Sequence, residues 1–288
     1  MIKVGLWGVE NTHAEAFFKS FTENPALSAF TVTHVGGAYP ESVARLQELS
    51  GAAIAESPEE MAACCDCGMI TCRDGKYHLA AALPFLRRRR PIFLDKPLTA
   101  SVSDVEELGR ELKKNGMQLI GGSSVKIAPA VDAALAFLKG NTLLSGHITC
   151  PIKLENPYGG FSFYASHLAE TLLRVFGSDV QSVEMKPMAG GLYGTVFYEH
   201  YPVTFTYLDG VYDYVLEADT QEGVFQSAVD ISAIHDEEAL AFSRFVLEGR
   251  TDFSFYELSR SVYLIAAMEA SLRSGRREPV GSLPEELL

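Results

Sequence analysis

The sequence predicts two domains, an α/β domain on a doubly wound parallel sheet and an α+β domain with a mostly antiparallel, open-faced sheet. Up to residue 122, apolar strand segments alternate with amphipathic helices, an order that is typical of a parallel sheet. From residue 143, strand-like segments follow one another with turn signals between them, as in hairpins. The 288 residues, 47% of them hydrophobic, are also too many for one small core. We therefore expect one domain at residues 1–122 and a second at residues 123–288. In an alternative arrangement, the last helices pack on the first domain.

Charge and cysteine content exclude several classes of partner. A formal net charge of -13 and a pI near 5.0 argue against a nucleic-acid surface and against an anionic membrane surface. No apolar run is long enough to span a bilayer, and Met1 leads directly into a strand rather than into a signal peptide. Five cysteines, an odd number, indicate a reducing compartment. We expect a cytoplasmic protein that binds neither nucleic acid nor membrane.

The first strand, Ile2 to Trp7, is followed by a glycine turn and a helix, a layout that presents backbone N–H groups to a phosphate. Of the three glycines in a G-x-G-x-x-G dinucleotide fingerprint only the first is present, as Gly8. Glu10 and His13 occupy the other two positions, and a carboxylate at the second position repels phosphate unless it turns away. The two polar residues between them have a helix-capping role as the alternative. The candidate cofactor-binding residues of this segment are Gly8, Val9, Glu10, Asn11, Thr12 and His13.

The end of the second strand, Phe30 to Val35, leaves the identity of a dinucleotide open. An NAD site usually has an acid here for the ribose hydroxyls, and an NADP site has an arginine nearby. This chain has Gly37 at that place, and the nearest cation is Arg45. Gly37 is a candidate for close backbone approach to a ligand, or it belongs to an ordinary loop.

Four cysteines lie in or beside the next predicted strand, Gly68 to Thr71. Their spacing is not that of a zinc site, so buried thiols are the favoured interpretation and no metal is expected. The loop after this strand contributes Arg73 and His78 as candidate cofactor-binding residues. His78 is either a site residue or a solvent-facing residue at the start of a helix.

A short apolar strand, Pro91 to Leu94, delivers Asp95, Lys96 and Pro97 to its carboxyl end, where ligands bind in open α/β sheets. Proline keeps Lys96 out of the helical region, so this residue lies on an extended turn. A lysine that is close to Asp95 and partly desolvated titrates low enough to pass a proton. The alternative is a solvated lysine on a surface turn.

The second domain shows a series of strand-like segments with one early helix, Ala165 to Phe176. Two amphipathic helices, about Asp236 to Leu247 and Tyr256 to Arg273, close the chain. An antiparallel sheet with helices on one face can leave its other face free, and a free apolar face predicts a homodimer or homotetramer. The predicted strands are Leu143 to Glu155, Gln181 to Met188, Leu192 to Glu199, Val203 to Leu208, Asp213 to Glu217 and Val224 to Ile231.

Together these segments resemble the Gfo/Idh/MocA family of nicotinamide-dependent oxidoreductases, which act mainly on sugars, polyols and related compounds. The resemblance extends over essentially the whole chain, which is short for the family. It implies a Rossmann-like domain that binds NAD or NADP, a second open-faced domain, and an active site in the cleft between them. The residues that carry it are Val4 to Gly8, His78, Asp95-Lys96-Pro97, Lys126 to Pro129, Gly159-Gly160 and Ser166 to Glu170.

The resemblance also implies roles for individual residues. Lys96 and His167 would transfer the proton, and Asp95 would hold the geometry and charge of the lysine. Members of the family typically have the pattern Asp-x-Gly-x-His here, and this chain has Phe163 in place of the Asp. We expect this apolar neighbour to lower the pKa of His167 and leave its ring neutral. Lys126, Tyr158 and Tyr164 would line the substrate pocket with Lys96 and His167. The alternatives are interface packing for the tyrosines and a core position for His167.

The function predicted from these residues is an NAD(P)-dependent oxidoreductase that acts on the hydroxyl of a carbohydrate-like small molecule. The departures at Glu10, Gly37 and Phe163 keep two alternatives open. One is a degenerate Rossmann-fold binding protein without redox activity. The other is a sugar lyase or epimerase with transiently reduced NAD.

Overall fold

The computed structural model describes residues 1–287, which divide by their internal contacts into two compact units. The first unit comprises residues 1–122, residues 233–255 and the segment that begins at Pro284. The second comprises residues 123–232 and 256–283. A helical segment from late in the sequence therefore folds with the first unit.

The first unit is built on a parallel sheet with the order β3-β2-β1-β4-β5-β6. The order reverses direction between β1 and β4, so the switch point lies beside Gly8, which follows β1. This confirms the predicted doubly wound parallel sheet. The strands are β1 (Ile2–Trp7), β2 (Phe30–Gly36), β3 (Ala53–Ile54), β4 (Cys67–Ile70), β5 (Ile92–Leu94) and β6 (Ile120–Gly121).

Helices cover this sheet, and local signals fix where several of them begin and end. Ser57 and Ser101 are N-caps whose side chains accept the backbone N–H three residues later. Gly51 and Gly116 end two helices in the left-handed conformation, which glycine adopts without strain. The helices before residue 122 are α1 (Thr12–Glu23), α2 (Pro40–Ser50), α3 (Pro58–Cys64), α4 (His78–Arg87) and α5 (Val102–Asn115).

The second unit contains a mixed, mostly antiparallel sheet, as predicted, with the order β12-β11-β7-β10-β9-β8-β13. Its one parallel pair in the described chain is β7 with β10, and the other neighbours are antiparallel. The strands are β7 (Leu143–Ile152), β8 (Ser182–Met188), β9 (Gly191–Phe197), β10 (Pro202–Asp209), β11 (Val215–Thr220), β12 (Gly223–Ala228) and β13 (Glu278–Pro279).

The helices after residue 122 are α6 (Pro129–Leu138), α7 (Phe161–Phe176), α8 (Ile234–Glu248) and α9 (Phe255–Ser274). Helix α7 packs against the sheet of the second unit. Gly146 in β7 makes this close packing possible, because a Cβ at that position would clash with the ring of Phe176. The buried Tyr207 hydroxyl of β10 donates to the carbonyl oxygen of Ala165 in α7, at 2.9 Å. Helix and strand are thereby fixed along the length that carries the candidate histidine.

Along β10 and β11, most of the side chains on the other face of this sheet are polar. Buried and partly exposed residues alternate along these strands. The partly exposed positions hold mainly threonine and carboxylate side chains, with Leu208 and Val215 as the apolar ones, and the neighbouring β7 adds a histidine. His147, for example, bonds through Nδ1 to Thr204 Oγ1 at 2.8 Å and through Nε2 to Thr149 Oγ1 at 3.2 Å. The strand alternation places the apolar residues against the helices instead. Homo-oligomer formation through this sheet stays a prediction.

All five cysteines are free thiols, and four of them are buried. Burial raises the pKa of Cys65 to about 11, so this thiol is protonated and unreactive near neutral pH. Within residues 1–287, no group of three or more His, Cys, Asp or Glu side chains is arranged to hold a metal ion. In the same range, no helix combines the length and the apolar character needed to cross a bilayer.

Helix α8 completes the core of the first unit, because Phe242 is fully buried and its ring meets Phe93 of β5 edge-on at 6.4 Å. We predict that Phe242→Ala lowers the free energy of unfolding by about 3–5 kcal/mol, the cost of truncating a buried aromatic. Urea denaturation measures this loss. Leu247→Ala on the exposed side of α8, where the leucine is 56% exposed, should change stability by less than ~0.5 kcal/mol. Equal effects of the two substitutions would contradict the packing.

Candidate active site

Asp95 organises the part of the candidate site that lies in the first unit. It follows β5 and is completely buried. Its Oδ2 accepts a hydrogen bond from Asn11 Nδ2 at 3.0 Å and lies 2.8 Å from His13 Nδ1. Its Oδ1 accepts the backbone N–H of Lys96 at 2.7 Å. One carboxylate therefore joins the start of α1 to the turn that carries the lysine.

The surroundings keep Asp95 ionised although it is buried. Burial by itself raises the pKa of a carboxyl group, but the charge and hydrogen bond of His13 and the charge of Lys96 outweigh it. The net result is a pKa well below the ordinary value. Ionised groups are tolerated in the interior when they are paired and hydrogen-bonded in this way.

Asn11 has two roles, because its Oδ1 also accepts the N–H of His13 and so caps α1. His13 is in contact with a second histidine, His235 of α8, at a ring-centroid distance of 4.5 Å. The Nδ1 of His235 lies 3.3 Å from Glu238 Oε2, and burial lowers the pKa of this histidine. No local pattern pointed to His235, because its contact with α1 joins segments more than two hundred residues apart.

Lys96 is 3% exposed, so the alternative of a solvated lysine on a surface turn is wrong. Its backbone is fixed by Asp95 and by the following proline, and the Lys96–Pro97 peptide bond is cis. The structure thus supplies the desolvation that a proton-transferring lysine needs.

Glu10 lies across the switch point. Its Oε1 accepts the backbone N–H of Arg73 at 3.0 Å, so the side chain bridges the loops that follow β1 and β4. Its Oε2 is buried and has no hydrogen-bond partner among the described residues. The carboxylate has turned toward the β4 loop, and it stays at the edge of the crevice where a dinucleotide phosphate would bind.

The glycines beside this carboxylate allow the strand ends to approach closely. Gly8 has φ +85°, and a Cβ there would clash with the backbone N of Cys72. A Cβ on Gly37 would lie 3.3 Å from Gly8 Cα. Val9 is buried beside them, whereas Thr12 is exposed at the first position of α1. The predicted cofactor segment is therefore gathered at the carboxyl ends of β1, β2 and β4.

His78 is fully buried, so the solvent-facing alternative is wrong. Its Nε2 lies 2.8 Å from the carbonyl oxygen of Cys72, and its Nδ1 lies 3.3 Å from that of Leu98. Burial lowers its pKa, with the backbone bonds opposing this effect. A neutral ring donates through Nε2–H to the carbonyl oxygen of Cys72, and it thereby ties the start of α4 to the β4 loop.

The second unit holds a separate buried cluster around His167. Lys126 Nζ and Glu170 Oε2 form an ion pair at 2.6 Å, and both side chains are buried. The same Glu170 oxygen accepts the backbone N–H of Ser123 at 2.9 Å. Ser123 Oγ lies 2.7 Å from His167 Nδ1. Lys126, expected to bind substrate, is thus held by Glu170.

Sequence reasoning missed the roles of Ser123 and Glu170. The helical spacing of Glu170, three residues after His167, was a usable signal because it puts both side chains on one face of α7. No local signal marked Ser123, whose contact with His167 spans 44 positions.

Tyr158 and Tyr164 pack around Phe163 near the start of α7. Their ring centroids lie 5.6 Å and 4.9 Å from that of Phe163. Both tyrosines keep partly exposed side chains. An aromatic cluster therefore occupies the start of α7.

A comparison with protein families gives a match to the N-terminal part of the chain. Residues 2–123 match the family model described as an oxidoreductase family with an NAD-binding Rossmann fold. This match makes the first domain similar to the Gfo/Idh/MocA oxidoreductase family. A comparison with the curated proteins finds no match.

Solved structures extend the likeness of fold to the whole chain. GenD2 from gentamicin A biosynthesis, solved with NAD, is 14% identical with a TM-score of 0.85, over 98% of this chain and 97% of that one. A myo-inositol dehydrogenase from Corynebacterium glutamicum is 15% identical with a TM-score of 0.83, over 98% and 99%. Scyllo-inositol dehydrogenase from Lactobacillus casei, solved with NAD(H) and scyllo-inositol, is 11% identical with a TM-score of 0.85, over 98% and 100%.

At the switch point, the backbone can accommodate a nicotinamide dinucleotide, but one side chain, that of Glu10, is unfavourable for its phosphates. The glycines and the start of α1 give the close approach and the helix N-terminus that a pyrophosphate uses. Glu10 adds a negative charge beside them. At the second strand, Gly37 provides no acid for a ribose, and Arg45 is paired with Glu15 at 3.5 Å.

We predict that Asp95→Asn lowers the free energy of unfolding by about 3 kcal/mol at pH 7, because buried donors lose an ionised acceptor. Since the folded-state pKa of Asp95 is lowered, its contribution is complete above the unfolded value of about 3.9 and is lost as pH falls toward the folded value. The difference between wild type and variant should therefore shrink below about pH 4. Urea denaturation across pH measures it. Asp132→Asn, at an exposed position, is the control, and a difference that is independent of pH would contradict the assignment.

Dinucleotide binding should be weak in the wild type and should improve when the charge at position 10 is removed. We expect Glu10→Gln, which can still accept the Arg73 N–H, to tighten NAD(H) binding about tenfold, or ~1.4 kcal/mol. The gain should be smaller at high salt. Calorimetry measures both. Glu15→Gln removes one charge from the first turn of α1, five residues after Glu10, and serves as the control. If the wild type binds NAD(H) tightly and Glu10→Gln does not change the affinity, the Glu10 carboxylate does not repel the dinucleotide phosphates.

Proposed function

We propose that this protein is an NAD(P)-dependent oxidoreductase that acts on a hydroxyl group of a sugar, a polyol or a related small molecule. Lys96 and His167 are its proposed groups for holding and transferring the hydroxyl proton. The observation that carries the proposal is the buried Lys96, fixed by an ionised Asp95 at the carboxyl end of β5. The family match of residues 2–123 supports the oxidoreductase class, and the inositol dehydrogenases of similar fold support a polyol substrate.

When bound, the nicotinamide supplies the hydride acceptor, so the protein must remove the hydroxyl proton and exclude water. Lys96 is the candidate for this task, because its side chain is buried and follows the carboxyl end of β5, where ligands bind in open α/β sheets. The negative charge of Asp95 then stabilises the ammonium that forms. Its hydrogen bond to the lysine N–H also fixes the position from which the side chain extends.

One observation favours a second candidate, a binding protein of the same fold without redox activity. Glu10 places a carboxylate, with one unpartnered buried oxygen, at the edge of the phosphate crevice. The absorbance of the purified protein near the nicotinamide band, with and without added NAD or NADP, separates the two candidates. A protein that never takes up either dinucleotide favours the second candidate.

Lys96→Ala should lower turnover of the best polyol or sugar by roughly 10²- to 10⁴-fold, the usual contribution of a proton-transfer group. The assay follows reduction of NAD or NADP across a panel of inositols and sugars. Because Lys96 is buried, Lys96→Met is included to keep the side-chain volume, and thermal unfolding verifies that both variants fold. Lys114→Ala, which removes a mostly exposed lysine of α5, is the control. Turnover by Lys96→Met at the wild-type rate would make the lysine structural.

A further inference from the structure

Ser123 Oγ is engaged by two groups of the second unit. It is the N-cap of a short 3₁₀ turn, Ser124–Ile127, and its Oγ accepts the backbone N–H of Val125 at 3.2 Å. The other contact of this oxygen is His167 Nδ1, at 2.7 Å. The serine is 1% exposed, so solvent does not take part in its hydrogen bonds.

These contacts determine where the hydrogen atoms lie. The Val125 N–H donates to Ser123 Oγ. This hydrogen bond uses a lone pair of the serine oxygen, and the hydroxyl hydrogen of Ser123 is still available to donate. A buried hydroxyl hydrogen needs an acceptor, and within residues 1–287 the acceptor at Ser123 Oγ is His167 Nδ1. With Nδ1 accepting, the hydrogen of a neutral imidazole lies on Nε2.

We infer that Ser123 is the positioning residue of His167, which it holds as the Nε2–H tautomer, so that His167 donates a hydrogen bond to the substrate oxygen instead of removing its proton. This inference rests on the proposed function and assigns different roles to its two groups. The hydroxyl proton goes to Lys96 Nζ, and the hydrogen on Nε2 stays on His167. If Nδ1 carried a hydrogen, as in the other tautomer or in the imidazolium, it would no longer accept the hydrogen bond from the Ser123 hydroxyl. The hydroxyl hydrogen would then have no acceptor.

The groups around the ring hold this arrangement. Glu170 faces the same cluster from α7, and its Oε2 fixes the Ser123 backbone N–H at 2.9 Å. Lys126 of the 3₁₀ turn balances that carboxylate at 2.6 Å. Tyr214 lies edge-on to the imidazole at a centroid distance of 6.2 Å. Ser123 is thus fixed through both its backbone and its side chain, and it fixes the ring in turn.

The tautomer is measured on the free protein, without cofactor or activity. Long-range ¹H–¹⁵N spectra of ¹⁵N-histidine-labelled protein, assigned with His167→Gln, show which ring nitrogen carries the hydrogen. We expect Nε2 to be protonated and Nδ1 to be bare near neutral pH. Ser123→Ala should give a mixture of tautomers, and Ser124→Ala, at the neighbouring buried serine, should leave the spectrum unchanged. If Ser123→Ala does not fold, Ser123→Thr, which keeps the hydroxyl, should preserve the wild-type tautomer. A hydrogen on Nδ1 in the wild type overturns the inference.

Kinetics of two His167 variants test the role. The amide nitrogen of glutamine takes the place of Nε2 and donates a hydrogen bond, but it cannot accept a proton. We expect His167→Ala to lower kcat about 100-fold, as for other lost donors to a reacting oxygen, and His167→Gln to lower it less than about 10-fold. His167→Gln should also keep the shape of the wild-type pH profile.

The outcomes separate this inference from the proposed function. Equal losses in His167→Gln and His167→Ala, with a changed pH profile, would make His167 a base and overturn the inference while the oxidoreductase stands. No loss in either variant removes His167 from catalysis and overturns the donor role. No turnover by the wild type with any dinucleotide is a failure of the proposed function, and the ¹⁵N spectra still decide the tautomer.

Discussion

The ionised carboxylate of Asp95 is the interaction on which the first unit depends. A buried charge is costly unless donors surround it, and Asn11, His13 and the Lys96 backbone supply those donors. The two elements that would meet a cofactor, the start of α1 and the end of β5, are therefore held by one group. Removal of that group would leave several buried donors unpaired at once, so the arrangement is either formed completely or lost.

The same constraint brings α8 into the first unit. His13 is held by Asp95 on one side, and the ring of His235 lies against it at 4.5 Å. Phe242, two turns further along α8, fills the core beside Phe93. A segment from late in the chain therefore supports the first turn of α1 through both apolar and polar contacts.

A second buried carboxylate, Glu170, plays the corresponding part in the second unit. It pairs with Lys126 and holds the backbone of Ser123, whose hydroxyl meets His167. The histidine thus interacts with a hydroxyl group. A hydroxyl orients the ring without adding a charge beside it. In each unit, an ionised acid fixes the neighbourhood of one of the two proposed proton-handling groups.

The sequence by itself determined the order of strands and helices, the parallel sheet, and the positions of Gly8 and of the Asp95–Lys96–Pro97 turn. These features depend on hydrophobic periodicity, capping and turn residues, which act between neighbours in the chain. Only the tertiary structure decided that Glu10 bonds to Arg73, that His13 meets Asp95 across 82 positions, and that Ser123 meets His167 across 44. Those pairings depend on which strand ends become neighbours and on the need of each buried polar atom for a partner. Both conditions are set when the chain packs, and no local pattern encodes them.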